Sequence, residues 1–309
     1  MSWDRVERLI GSQNLARLRR KRVAVAGLGS GGSFVATSLA MSGVGSFVLI
    51  DDDTLEKANI VRHMADARDI GRPKAEVVAD LIRQRNPDAA VEVRVGRLEQ
   101  NLDALDNVDL LIAAVDGEGS KYVLNEACLK RNLPAVYAGV YERGEGGDVV
   151  VVHPYDGPCY ACWAAELREG LTFARPDEDV ELDYGMIGPD GTLEAEPGLW
   201  LHVVRVASVQ ADMALNELLA GTDAFKEMPA NTVILANTSI EIIDGQTSLP
   251  YTAVWVNIER DPNCLVCGEP MRQRAALEDR EDAEEFSLED LVESSGIVLE
   301  DESGDDRRE

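Results

Sequence analysis

The chain has 309 residues, 45% of them apolar, and 57 acidic against 30 basic side chains give a formal net charge of −27. That length buries a substantial core in one large domain or two small ones, and that charge repels a phosphate backbone over most of the surface, which excludes a general nucleic-acid-coating protein. No run of about eighteen apolar residues is present, and the start MSWDRVERLIGSQN lacks the charged-then-apolar layout of a signal peptide, so a soluble, cytoplasmic chain without a membrane partner is expected.

In chain order, Ser2 to Arg20 reads as an amphipathic helix with Val6, Leu9, Ile10, Leu15 and Leu18 on one stripe. RVAVAG, a glycine cluster, an apolar helical stretch Phe34 to Ser42 and SFVLID then spell strand, turn, helix, strand. Continuous apolar strands of this type suit a parallel sheet covered on both faces. Pro73 to Arg85 repeats the helical pattern, AVEVRV and DLLIAAVD read as strands, a helix runs to Arg131, and PAVYAGV is a further strand. Leu167 to Pro197, rich in Asp, Glu, Gly and Pro, reads as a long crossover loop. A helix from Trp200 to Ala220 and antiparallel strands in NTVILANTSIEIID and PYTAVWVNIERDP complete an α/β core over 21–270. The tail 271–309 is acidic and of low complexity: Ala276 to Glu309 holds fifteen Asp or Glu against three Arg, and disorder is expected there.

Gly27, Gly29 and Gly32 form GxGxxG between the first strand and the first core helix, and Asp51 ends the next strand. Glycines let a backbone approach phosphates, the helix N-terminus offers unpaired N–H groups and a positive dipole, and the carboxylate accepts ribose hydroxyls. Alone, the motif fits NAD or FAD, or a tight turn with no ligand. The polar and charged residues behind the second strand, Asp51, Asp53, Asn59, Arg62 and Lys74, shift the balance toward a nucleoside triphosphate, whose several negative charges call for cations and an acidic group to hold Mg²⁺. Asp116, at the carboxyl end of DLLIAAVD, is positioned to supply that ligand. The competing reading of each charge, taken singly, is a solvated surface residue.

Four of the five cysteines form two CxxC pairs, Cys159 with Cys162 and Cys264 with Cys267, the thiolate set that a tetrahedral structural Zn²⁺ prefers. Redox pairs and metal-free thiols are the alternatives. Such a site clips the start of the crossover segment to the last strands. Cys128 lies within LNEACLKRN, a helix facing the core, and reads as a buried structural thiol. His63, His153 and His202 share no spacing with a nucleophile and read as ordinary, His63 least so because it adjoins Arg62.

As a set these residues resemble the ThiF, MoeB and HesA group, relatives of the ubiquitin-activating enzymes. The matches are the GLGSGGS loop, the spacing of Asp51, Asn59 and Arg62, GRPKAEVVAD with Lys74, the strand-ending Asp116, an N-terminal RVER with Arg5 and Arg8, the PCYAC and NCLVCG pairs, and SVQADMALNELLAG. The resemblance spans roughly Arg5 to Pro270. It implies a Rossmann-like ATP-binding fold whose mostly parallel sheet is extended by antiparallel C-terminal strands, with residues 1–20 as a helical preface to an adenylation domain. It also implies a homodimer, and ATP-dependent adenylation of the C-terminal carboxylate of a ubiquitin-like or sulfur-carrier protein ending in Gly-Gly. On that likeness Asp51 holds the ribose, Asn59, Arg62 and Lys74 neutralise the triphosphate, Asp116 binds Mg²⁺, and Arg8, with Arg5 beside it, reaches the partner subunit's site as an arginine finger. Lys121 stands where many members carry an arginine of the nucleotide site, and AVDGEGSK departs from the usual Asp-Asn start. No cysteine lies between Trp163 and Asn263, so the chain is expected to stop at the acyl-adenylate.

Other readings remain open on sequence. A tRNA threonylcarbamoyladenosine dehydratase, acting on tRNA, is suggested by ERLIGSQNL and Lys121 and opposed by the acidic charge and the four paired cysteines. An NAD-dependent oxidoreductase explains only GxGxxG and Asp51, and an idle adaptor has no need for the full charged set.

Overall fold

The structure is a computed structural model that describes residues 2–170, 198–243 and 246–269. Two short helices, α1 (Asp4–Ile10) and α2 (Ser12–Leu18), stand where one was expected. Gly11 separates them at a φ of 86°, a conformation that residues with a Cβ rarely take. α2 buries Leu15 and Leu18, whereas α1 has no fully buried residue, leaves Leu9 84% exposed and reaches the core only through partly buried Ile10 at its end.

β1 (Arg22–Ala26), α3 (Ser30–Met41) and β2 (Ser46–Asp51) follow. α3 starts at Ser30 rather than Phe34. Glycine is weak in an isolated helix, but here tertiary packing holds it: a Cβ on Gly32 would lie 1.9 Å from the Gly27 carbonyl oxygen. Next come α4 (Lys74–Arg85), β3 (Ala90–Val95), β4 (Leu110–Ala113), α5 (Glu118–Arg131), β5 (Ala135–Val140) and β6 (Gly146–Val152). α6 (Tyr160–Gly170) occupies the first residues of the stretch expected as crossover loop, a correction at its boundary; the rest of that stretch, 171–197, and the tail 271–309 lie outside the described residues. α7 (Trp200–Leu218) leads to β7 (Thr232–Ala236), β8 (Ile240–Ile243), β9 (Gln246–Ser248) and β10 (Ala253–Val256).

Eight strands form one sheet in the order β10-β7-β6-β5-β4-β1-β2-β3. The five from β3 to β5 are parallel, and β6, β7 and β10 extend the sheet antiparallel. β8 and β9 pair with each other as a separate hairpin, so IEII is not a strand of the main sheet. Alternate residues of β1 enter opposite faces. Val23 and Val25 join the cluster that holds Val35, Val78 and Met213 of α3, α4 and α7, while Ala24 and Ala26 join Leu124 and Trp163 of α5 and α6. With both faces covered, the sheet leaves its carboxyl-terminal edge as the place for a ligand. The strand order reverses between β1 and β4, which opens a crevice there. Buried Gln210 of α7 locks that edge by donating to the carbonyls of Ala113 (3.1 Å) and Val136 (3.0 Å). Among the described residues no helix is long and apolar enough to cross a membrane.

Candidate active site

The turn between β1 and α3 is fixed by contacts that exclude side chains. Gly27 has a φ of 83°, and a Cβ there would lie 2.5 Å from the Ala114 carbonyl oxygen. This contact lays the segment leading from β4 to Asp116 against the glycine turn. Gly29, the residue before the first turn of α3, differs: a Cβ would meet nothing within 4 Å. The chain's own packing makes no demand for glycine at this position. The open space beside this backbone, at the N-terminus of a 12-residue helix, is compatible with a nucleotide's phosphates.

Asp51 ends β2 and reaches back to this turn. Its Oδ2 accepts from the Leu28 N–H at 2.6 Å and its Oδ1 from the Asp53 N–H at 2.9 Å. Burial raises the Asp51 carboxyl above its ordinary value, against those two N–H bonds and the positive charge of Lys74. Two bonds leave acceptor sites on a carboxylate that can take four. Lys74, first residue of α4, is only 11% exposed at its side chain and puts Nζ 2.5 Å from Asp53 Oδ2. Its backbone N–H also donates to the Asp53 carbonyl at 2.9 Å. Between them, residues 57–62 form a 3₁₀ helix in which Asn59 Oδ1 accepts from the Glu56 N–H at 2.9 Å, and half-buried Arg62 ends it. Asp116 is exposed just beyond β4.

The structure thus brings Gly27, Gly29, Gly32, Asp51, Asp53 and Lys74 together and lays the stretch before Asp116 beside them. Two other residues expected at the site have partners of their own in this chain. Arg8 is 73% exposed and pairs with Asp4 on its own helix. Lys121 is buried, with Nζ 3.1 Å from Glu118 and 5.9 Å from the ring centre of Tyr160, in the seam between α5 and α6. Glu118 also accepts from the Tyr160 hydroxyl at 3.0 Å, and Tyr160 stacks between Tyr137 and Trp163. His63 was read from sequence as ordinary. It is buried against the glycine turn, with Nε2 2.8 Å from the Leu28 carbonyl oxygen. Its adjacency to Arg62 was the one signal in the sequence.

The four paired cysteines converge. All are buried, none forms a disulfide, and their sulfurs lie within 4.8 Å of one another. Sγ–Sγ separations are 3.8 Å for Cys159–Cys162 and Cys159–Cys264, and 3.4 Å for Cys162–Cys267. Four thiolates at about 2.3 Å from a tetrahedral Zn²⁺ stand about 3.8 Å apart, so donor type and spacing are compatible with zinc. Hydrogen bonds from Cys159, then Arg260 and Cys162, hold the Cys267 thiol well below its ordinary value. Cys128 lies outside this group, buried in α5, and burial pushes its thiol up to about 12, the state of an inert structural cysteine.

The ThiF family matches residues 4–219, well over half of the chain. The chain belongs to the ThiF family. This ThiF-family chain is 30% identical over 267 residues to the SAMP-activating enzyme E1 of Haloferax volcanii, covering 84% of the chain and 85% of that protein. It is 28% identical to the sulfur carrier protein ThiS adenylyltransferase of Escherichia coli K12, over 82% of the chain and 88% of the relative. In fold it is similar to E. coli MccB, with a TM-score of 0.61 and 20% identity over 82% of the chain and 68% of MccB.

Proposed function

We propose that this chain uses ATP to adenylate the C-terminal carboxylate of a ubiquitin-like or sulfur-carrier protein ending in Gly-Gly, releasing pyrophosphate. The observation that carries the reading is the open Gly29 at the α3 N-terminus, with Asp51 and Lys74 gathered on the same turn. Family membership and the relatives named for activating SAMP and ThiS support the reaction class.

A carboxylate is a poor acyl donor because its leaving oxygen is basic, and a mixed anhydride with AMP supplies a good leaving group. The attacking carboxylate is already ionised at pH 7 and needs no general base. One carboxylate oxygen bonds to the α-phosphorus as its bond to the α,β-bridging oxygen breaks, and the β- and γ-phosphates leave as pyrophosphate. The chain's task is to hold two anions together. Asp51 takes the ribose hydroxyls on its spare acceptor sites, the α3 N-terminus faces the phosphates, Arg62 and Lys74 neutralise them, and the Asn59 amide N–H donates to them. Asp53 holds the sheltered Lys74 ammonium in place until phosphate competes for it. Mg²⁺ held by Asp116 would neutralise phosphate charge. Arg8 acts in the partner subunit of a homodimer, where its exposure on α1 leaves it accessible. Cys159, Cys162, Cys264 and Cys267 hold a structural Zn²⁺ that ties α6 to the segment after β10.

ATP–pyrophosphate exchange tests this directly, with Mg²⁺ and either no addition, Gly-Gly-terminated ubiquitin-like proteins of the same genome, or total tRNA. Exchange stimulated by a carrier protein is expected. Turnover stimulated by tRNA alone would hand the site to the dehydratase chemistry, and silence in all arms would reject adenylation.

A further inference from the structure

Leu28 is the residue on which the glycine turn hangs. It lies between Gly27 and Gly29, and its side chain is fully buried, so the turn cannot swing without disturbing the core. Both of its backbone polar groups are held from outside the turn: the N–H by Asp51 Oδ2 at 2.6 Å, the carbonyl by His63 Nε2 at 2.8 Å. His63 directly follows Arg62, and its Nδ1 accepts from the Ala65 N–H at 3.0 Å. Because Nδ1 is occupied as an acceptor, the ring proton resides on Nε2 and points at the Leu28 oxygen. Both ring nitrogens are therefore committed to backbone partners. The ring has no lone pair left with which to take a proton from a substrate. Among the described residues, no backbone–backbone hydrogen bond joins 57–65 to the turn 27–32, so the imidazole bridges two backbone segments that are otherwise unlinked at that level.

We propose that His63 is a positioning residue that holds the glycine turn in register with the cationic segment ending at Arg62, so that nucleotide phosphates meet both at a preset separation. This rests on the assignment of ATP to the turn. The alternative of a general base is unnecessary for an ionised carboxylate and has no free nitrogen here. A purely packing histidine is a weaker account, because a packing residue needs no polar partner on either nitrogen, whereas this one has one on each.

The test compares wild type, His63→Ala and His63→Gln. A glutamine amide places an N–H donor near the position of the ring Nε2 and can keep the bond to the Leu28 carbonyl, the contact that holds the turn. MgATP affinity is read by calorimetry in the absence of any carrier, and steady-state ATP–pyrophosphate exchange is read with the carrier that stimulates wild type. His63→Ala is expected to weaken MgATP binding about tenfold, equivalent to about 1.4 kcal/mol, and to raise the KM for ATP while leaving the KM for carrier within about twofold. His63→Gln is expected to recover most of the loss, with all three proteins melting cooperatively. MgATP affinity of His63→Ala within about twofold of wild type would overturn the proposal, as would a Gln variant as impaired as the Ala variant while still cooperatively folded. Should His63→Ala fail to fold, the Gln variant decides: near-wild-type MgATP affinity supports the latch and loss of it in a folded protein rejects it. Wild type that binds MgATP yet exchanges with no carrier rejects adenylation and leaves the His63 comparison intact; wild type that binds no MgATP rejects both.

Discussion

Lys74 is the residue on which the phosphate assignment is most exposed to test. A charged group sheltered to 11% exposure needs a partner, and Asp53 at 2.5 Å provides one from a far more open position. Lys74→Ala removes positive charge from the site and frees Asp53, whose side chain can return to water. The expected outcome is a fall of at least about a hundredfold in kcat/KM for exchange with little change in the melting temperature. Arg62→Ala should behave alike, and normal turnover in either would contradict the assignment. His153 gives a residue-scale prediction of a different type. Its Nε2 lies 2.8 Å from buried Glu217 on α7, and that hydrogen bond raises its ionisation above the ordinary value. A histidine whose folded value is raised stabilises the fold fully below its unfolded value of about 6.5 and loses that contribution as pH climbs through the folded value. With His153 partly exposed, the effect is under about 1 kcal/mol. Melting curves between pH 5.5 and 8.5, as chosen conditions spanning about 6.5, should fall with pH more steeply in wild type than in His153→Gln.

At the scale of elements, the sequence was most legible where one force acts alone. RVAVA and SFVLID are continuous apolar runs in a chain with charged flanks, and burial on two faces explains each without further help. The GxGxxG turn and Asp51 were legible for the same reason, since spacing alone places them at neighbouring strand ends. Elements went astray where tertiary contact overrides local preference. The apolar stripe of Ser2 to Arg20 runs through Gly11 without interruption, yet the backbone turns there and Leu9 faces solvent. α3 starts in glycines because Gly32 must approach Gly27, which no propensity foretells. Lys121 pairs with Glu118 one turn away on α5, but the Tyr160 ring beside both comes from α6, which spacing within α5 does not reveal. His63 is marked in the sequence only by its adjacency to Arg62, whereas its contact with the turn is to a carbonyl 35 residues away. The cysteine group, by contrast, combines a legible donor set with an illegible meeting point. It joins α6 to the end of the described core, so Cys264→Ser should abolish binding of about one zinc per chain, read by elemental analysis, and lower the melting temperature by roughly 10 °C. Full zinc content in that variant, or an unchanged melting curve, would remove the metal from the account.

At the scale of the whole molecule, the open question is whether one chain makes a complete site. The gathered residues, Asp51, Asp53, Lys74 and the Gly27–Gly32 turn, all belong to the sheet's own edge, whereas Arg8 sits on a short helix that buries none of its residues in this chain. Within its own chain this helix is held through partly buried Ile10 while Arg8 stays open, and on the proposed two-fold symmetric dimer each subunit would lend Arg8 to the other. That arrangement makes a quantitative prediction which a site complete in one chain cannot satisfy. Arg8→Ala and Lys74→Ala should each be nearly inactive as pure proteins. Mixed in equal amounts and allowed to exchange subunits, about half of the dimers become heterodimers, and in each of these one site pairs an intact Lys74 with an intact Arg8 while the other has neither. Exchange activity should therefore return to about one quarter of the wild-type value per chain. A mixture as inactive as its components, despite demonstrated subunit exchange, would place Arg8 in its own chain's site or outside the chemistry altogether.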